Sequence, residues 1–164
     1  MFTPRNHRFI RCIGMVLVFV PVSLVFGLAN AQSMASKTNV FNDPFAQLTN
    51  QIAACPVPQG PGYTAEETRE QAHYRAERGT SCYRSGRCRL PNAYLYDQEI
   101  IVRVQRAIRT DGHFENTSLW ASSQRRWVTL QGCVHTEAES SALERLVHHL
   151  DDVESVINEI AVMP

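Results

Sequence analysis

The densest chemical signal in the sequence is a run of arginines around Tyr83. A guanidinium group donates forked hydrogen bonds to phosphate, so such a run could bind phosphate groups. The alternative is a solvated loop face, which is what charge runs usually are. We take Arg84, Arg87 and Arg89 as the candidate phosphate-binding residues. The whole cluster consists of Arg75, Arg78, Arg84, Arg87 and Arg89.

Four cysteines follow the first 31 residues, and their chemistry is disulfide formation or metal binding. An even number of cysteines in an exported chain favours disulfides. Cys82 and Cys88 enclose a turn-rich loop that could close on itself, leaving Cys55 for Cys133, although other pairings stay open. Full pairing in any form ties Cys133 to a cysteine of the N-terminal extension, residues 32–96. A zinc site would use Cys133, His135 and other thiols, but Cys-x5-Cys is not a typical zinc spacing, so we predict no metal.

Motifs for catalysis are missing from the sequence. No serine lies in a G-x-S-x-G elbow, and no glycine-rich phosphate loop is present. His148 and His149 lie at a predicted helix end without partners at metal or catalytic spacing. We therefore predict a non-enzymatic protein without a cofactor.

The first 31 residues have the pattern of a secretory signal peptide. Basic residues precede an apolar run over 13–28, and Ala29, Asn30 and Ala31 supply a small-x-small cleavage pattern. We predict cleavage after Ala31 and location in the periplasm. The alternative is an uncleaved membrane anchor, but the apolar run is short for a membrane span.

Cleavage would leave a weakly acidic chain. The sequence has 16 basic and 16 acidic residues, and three of the arginines lie in the predicted leader. The acidic excess falls in the C-terminal half. This balance does not suggest duplex nucleic acid as a partner.

Residues 32–96 are predicted to form an extension with two short helices and a Pro/Gly linker. The first helix would begin at Asp43 and Pro44. The second would begin at a capping box of Thr64 and Glu67 and end at Gly79. The apolar face of the first helix would consist of Phe45, Leu48, Ile52 and Cys55.

From residue 97 to 164 the pattern predicts the element order α-β-β-α-β, an α+β fold. Asp97 could cap a helix that ends near Gly112. Residues 119–123 and 126–134 alternate like the strands of a hairpin, and 153–162 is a third strand. Thr136 with Glu139 predicts a capping box for the second helix. Both helices should cover one face of the sheet.

Strand alternation places Trp120, Trp127 and Cys133 on the face that these helices leave bare. Exposed, the tryptophans would form an aromatic patch suited to a membrane interface or a protein partner. Covered, they would build a second core beneath the extension that the cysteines tie down. We favour the covered arrangement, because an uncovered tryptophan pair is unfavourable for a soluble monomer.

The region from about 96 to 162 resembles a BON domain, the bacterial OsmY and nodulation family. The resemblance rests on V-T-L-Q-G-C-V at 128–134 and on Glu139, Ala142, Val153, Val156 and Asn158. The family commonly has glycine where this chain has Asp152, and often Asn-Gly where it has Arg125-Arg126. The resemblance implies an α-β-β-α-β fold and an exported attachment module without an active site. Its members are linked to osmotic stress, phospholipid surfaces, pores and secretins.

The resulting hypothesis is a periplasmic envelope module that docks on anionic phospholipid surfaces, possible contexts being envelope or osmotic stress. The alternative is a protein–protein adaptor or assembly factor for an envelope complex. The adaptor would dock through the tryptophan face or through the amphipathic helix at Phe45.

Overall fold

The computed structural model describes residues 36–163, so the predicted leader and its cleavage site lie outside the described residues. A four-stranded mixed sheet combined with helices confirms the α+β class, and residues 97–162 follow the predicted order. The strands are β1 (Phe45–Asn50), β2 (Ser118–Gln124), β3 (Trp127–Val134) and β4 (Ser155–Val162). The helices are α1 (Ala65–Arg78), α2 (Ser81–Arg84), α3 (Asp97–Asp111) and α4 (Glu137–His148), with a 3-10 turn at Ala93–Tyr96.

The strands lie in the order β1-β2-β3-β4. β1 pairs antiparallel with β2 and β2 with β3, whereas β3 and β4 are parallel and are connected through α4. Helices α3 and α4 pack on one face, where alternate strand residues and the apolar stripes of both helices form the main core. Its fully buried members include Ile100, Val104, Leu119, Val128, Leu130, Leu143 and Val147.

Both capping boxes form as predicted. The Thr64 hydroxyl accepts from the backbone N–H of Glu67, and the Glu67 carboxylate accepts from the backbone N–H of Thr64. Thr136 and Glu139 make the same reciprocal bonds at the start of α4. Gly112 ends α3 in the left-handed conformation, with φ 75°.

The prediction of a helix that begins at Asp43 is wrong, because the segment forms strand β1. The Asp43 side chain does not cap a helix but accepts hydrogen bonds from Tyr63, Arg75 and Gln124. Phe45 pairs with Ser122 of β2, and a bulge interrupts the register between 47 and 49. The residues of the predicted helix face are instead split between the two faces of the sheet, since Leu48 packs against the main core and Phe45 packs beside Trp120 on the opposite face.

The predicted cap at Asp97 is also wrong. Tyr96 holds the N-cap position of α3, and the buried Asp97 carboxylate accepts from the backbone N–H groups of Arg125 and Arg126. Both arginines have positive φ, 55° and 69°, so the hairpin has a two-residue primed turn that usually favours Asn-Gly. The carboxylate therefore supports a turn that the residue types disfavour. Burial raises the pKa of Asp97, although these bonds and one from Ser123 oppose the shift.

Candidate docking surface on the outer face of the sheet

The outer face, the sheet face away from α3 and α4, carries both tryptophans and Cys133 as alternation predicts. Trp120 lies opposite Gln131 and Trp127 lies opposite Gln124 in the β2–β3 pairing. The two rings therefore belong to opposite ends of the face. One end is covered by the extension, and the other is open to solvent.

One end of the outer face is closed by the extension. Cys55 forms a disulfide with Cys133, with Cα atoms 5.8 Å apart. The buried ring of Trp120 packs with this disulfide in a second core. The residues packed around that core are Phe45, Ile52 and Met163.

The favoured cysteine pairing is confirmed at both sites. Cys82 pairs with Cys88 across the predicted loop, and Cys55 pairs with Cys133. The zinc alternative needed Cys133 as a free thiolate, and the disulfide occupies that sulfur. Between residues 36 and 163 no three His, Cys, Asp or Glu side chains gather as a metal site would require.

The other end of the outer face is an open groove, which we call the Trp127 groove. Its apolar members are Trp127, Tyr74 and Ile157, with 38%, 37% and 39% of their surfaces exposed. Strand alternation places Ile157 of β4 on the outer face, and α1 supplies Tyr74. The groove is lined by Tyr74, Arg78, Tyr94, Arg125, Trp127 and Ile157, with Gln71, Gln124 and Thr129.

Two arginines of the Trp127 groove lie on its aromatic rings. The guanidinium carbon of Arg78 is 4.5 Å from the centroid of Tyr74, and that of Arg125 is 5.3 Å from the centroid of Trp127. Neither arginine forms an ion pair with any carboxylate in residues 36–163. Aromatic contact positions these charges without neutralising them.

Arg75, also in the predicted cluster, has a structural role behind the groove. It forms a buried ion pair with Asp43 and stacks 4.3 Å from the Tyr94 centroid and 4.1 Å from that of Phe41. Side-chain exposure is only 13% for Arg75 and 3% for Asp43. The pair thus ties α1 to the start of β1 and is not free to bind a ligand.

The three arginines selected from the sequence differ in their surroundings. Arg84 and Arg87 are exposed on the disulfide-closed loop, where Arg87 donates to Ser85 at 3.0 Å. Arg89 instead contacts Asp152 at 3.2 Å and Glu99 at 3.6 Å. The hydrogen bond to Asp152 raises the pKa of Arg89. Arg89 is therefore part of an ion-pair network at the surface.

Asp152 organises that network from the turn before β4. Its φ of 70° is left-handed, and its carboxylate accepts from Arg103 at 2.8 Å as well as from Arg89. Partial burial opposes ionisation, but the hydrogen bonds from Arg103 and Arg89 outweigh it and lower the pKa of Asp152. The carboxylate thus ties α3 to the turn before β4.

Ile157, Arg125 and Tyr74 are among the groove residues that the sequence analysis missed. The signal for Ile157 was the alternation of β4, and the signal for Arg125 was its place two residues before Trp127. Tyr74 and Arg78 are four residues apart on α1, which puts them on the same helix face. Which part of the sheet that face would approach depends on tertiary contacts that no local pattern encodes.

Comparison with family models matches residues 96–164 to the BON domain. The match covers α3, β2, β3, α4 and β4 and leaves β1, α1 and α2 outside. Comparison with curated proteins finds no match for the chain. Across the described residues, no helix combines the length and apolarity needed to cross a membrane.

Proposed function

Given that residues 96–164 form a BON domain, we propose that the protein is a non-enzymatic module of the cell envelope that docks on anionic phospholipid surfaces through the Trp127 groove. BON domains are generally binding modules rather than enzymes. Two disulfides suit an oxidising compartment, and the leader pattern over 1–31 supports export to the periplasm. Envelope or osmotic stress is the proposed physiological context.

The observation that carries this proposal is the combination of exposed aromatic rings with unpaired guanidinium groups. Tryptophan and tyrosine favour the headgroup region of a bilayer, where an apolar ring body and a polar edge are both solvated well. Arg78 and Arg125 lie on those rings and are free to donate to lipid phosphate. Each such charge near an anionic surface contributes about 1 kcal/mol.

The loop arginines Arg84 and Arg87 are proposed as a secondary headgroup contact. Both are exposed and form no ion pair within 36–163. Arg89 is a weaker candidate, because recruiting it to lipid would break its contacts with Asp152 and Glu99.

Docking on a protein of an envelope complex is the second candidate. The Phe45 helix that this alternative invoked is a strand in the structure. The observation that favours an adaptor is the edge of β4, which in the described part of the chain pairs only with β3. A free strand edge can add a strand from a partner.

Vesicle flotation tests the lipid proposal. The mature protein should float with vesicles that contain anionic phospholipid, float less as salt rises, and float poorly with zwitterionic vesicles. Replacing both Arg78 and Arg125 with Gln should weaken binding by roughly tenfold or more, because two surface charges are lost. Trp127→Ala should weaken it further.

The matched control removes two exposed arginines from α3. Arg106→Gln with Arg109→Gln changes the net charge equally and lies away from the groove. A third variant, Arg84→Gln with Arg87→Gln, measures the loop contribution. If the groove variant and the control variant lose vesicle binding equally, binding depends only on net charge, and the proposed site is contradicted. Absence of flotation together with capture of one envelope protein would favour the adaptor.

A further inference from the structure

The two disulfides of this protein have different chemical surroundings. We propose that Cys82–Cys88 is a thiol–disulfide exchange site whose reaction partner is a dithiol, whereas Cys55–Cys133 is a permanent structural bond. The proposal does not depend on lipid or protein docking, so the two can succeed or fail separately.

The first argument is the protection that folding gives each bond. Cys55 and Cys133 are separated by 78 residues, and both lie buried beneath the second core with Trp120. Cys82 and Cys88 are separated by only 6 residues. A short loop restricts the unfolded chain little, so the folded state protects that disulfide less against reduction.

The second argument is access to the loop. Every residue from 83 to 87 is exposed, and Tyr83 has 51% of its surface in solvent. Gly86 adopts φ 72°, and a side chain there would meet no other atom within 4 Å. The loop between the two cysteines is thus open to solvent along its length. Cys82 is 5% exposed, whereas Cys88 is half-buried, so a reagent reaches the bond from the side of Cys88.

The third argument is a cation held against one sulfur. The Nη1 atom of Arg126 lies 3.0 Å from Sγ of Cys88. A guanidinium group gains little from a neutral disulfide sulfur but strongly stabilises a thiolate by a charge-assisted hydrogen bond. The contact therefore favours the reduced state over the oxidised state.

The position of Arg126 is fixed by contacts on every side. Its backbone N–H donates to Asp97 at 2.7 Å, and its Nε donates to the backbone carbonyl of Asp152 at 2.7 Å. Its guanidinium carbon lies 5.4 Å from the centroid of Tyr96. Glu154 is the nearby countercharge, with a carboxylate oxygen 3.7 Å from Nη1, which leaves the shorter contact to sulfur. The cation is thus in place before the thiolate forms.

The exchange conserves atoms and electrons. A dithiol thiolate attacks one sulfur of Cys82–Cys88, the S–S bond breaks, and a mixed disulfide forms. The second thiol of the reagent then resolves that mixed disulfide and leaves as a cyclic disulfide, having supplied two electrons. The remaining proton of the reagent passes to Cys82, which ends as a thiol, and Cys88 ends as a thiolate beside Arg126; the other proton of the dithiol went to solvent when the attacking thiolate formed. Reduction opens the loop that carries Arg84 and Arg87.

Redox titration of the oxidised mature protein tests the proposal. The protein is equilibrated in mixtures of reduced and oxidised dithiothreitol, the free thiols are alkylated, and each cysteine peptide is quantified by mass spectrometry. Cys82–Cys88 should be reduced at a lower ratio of reduced to oxidised reagent than Cys55–Cys133. This order needs no variant, and simultaneous reduction of both bonds would overturn the proposal.

Variants of Arg126 test the cation. Arg126→Gln should make reduction of Cys82–Cys88 about tenfold less favourable, which corresponds to about 30 mV, and should leave Cys55–Cys133 unchanged. Arg126→Lys should keep part of the stabilisation that the cation gives to the reduced state. Arg125→Gln removes an equal charge from the same turn and should leave the reduction of Cys82–Cys88 as in wild type. Circular dichroism confirms that each variant is folded. If Cys82–Cys88 in the Arg126→Gln variant is reduced at the same reagent ratio as in wild type, the proposed role of the Arg126 cation is wrong.

Discussion

The two ends of the outer face are built from the same strands and carry a tryptophan each, yet they differ in what stabilises them. At the closed end, Trp120 is 3% exposed beneath Phe45, Ile52 and the Cys55–Cys133 disulfide. At the groove end, Trp127 remains 38% exposed, and the guanidinium carbon of Arg125 lies 5.3 Å from its ring centroid.

The difference teaches that strand alternation assigns a side chain to a face but does not decide whether that face is covered. Coverage follows from the position of the covalent link. Cys133 lies opposite Ser118 at one end of β2 and β3, so the chain around Cys55 closes over that end. The groove end is held instead by polar contacts, such as those that the Asp43 carboxylate accepts from Arg75 and Gln124.

Replacing each tryptophan with alanine should give the largest contrast. Trp120→Ala should lower the free energy of unfolding by about 3–5 kcal/mol, because it empties a buried site beneath the disulfide. Trp127→Ala should lower it by less than about 1 kcal/mol, since the ring is partly exposed. Urea unfolding followed by far-ultraviolet circular dichroism measures both. Similar losses in the two variants would contradict the division into closed and open ends.

Removing the link at the closed end should have the next largest effect. Cys55→Ser combined with Cys133→Ser should lower the free energy of unfolding by roughly 2–4 kcal/mol, and the loss should exceed that of Cys82→Ser with Cys88→Ser because the loop is longer. In a Trp127→Phe background the remaining fluorescence reports Trp120 alone. Acrylamide should quench that fluorescence more strongly once the disulfide is removed. Unchanged quenching would show that the burial of Trp120 does not depend on the disulfide.

Acid should weaken the Asp152 network between α3 and the turn before β4, with a smaller effect on stability. The folded-state pKa of Asp152 is lowered, so its contribution is present at neutral pH and disappears as pH falls through that lowered pKa. Asp152→Asn tolerates the left-handed backbone but loses the charge, so it should be about 1 kcal/mol less stable than wild type at pH 7 and nearly equal only once the pH lies below the lowered pKa of Asp152.

Urea unfolding at several pH values checks this prediction. Glu115→Gln is the control, because Glu115 is exposed and forms no ion pair among residues 36–163. A difference between wild type and Asp152→Asn that persists unchanged into acid would show that the Asp152 charge does not matter.

Local signals in the sequence were sufficient for much of the fold. The capping boxes at Thr64 and Thr136 act between residues three apart, and they place α1 and α4 correctly. The alternation of β2 and β3 assigns the outer face. The cysteine loop at 82–88 is equally local, so its closure was predictable. Each of these features depends on neighbours in the chain.

The failures concern side chains whose partners are distant in sequence. Asp43 and Asp97 have the form of helix caps, but their carboxylates bind groups on Arg75 and on the hairpin turn. β1 was predicted as a helix because its pairing with β2 and its bulge depend on residues far along the chain. The groove was missed for the same reason, since α1, β3 and β4 each supply part of it.

The pairing of β1 with β2 also sets an order of assembly. β2, β3 and β4 follow one another closely, whereas β1 must close a long loop, as the contact between Thr49 and Thr117 shows with its separation of 68 residues. Contacts of such long range form slowly, so β1 should join the sheet late in folding. Until then β2 presents a bare strand edge beside an uncovered Trp120, which is a hazard for aggregation. Formation of the Cys55–Cys133 disulfide ends that interval, because the covalent bond opposes dissociation of β1 from β2.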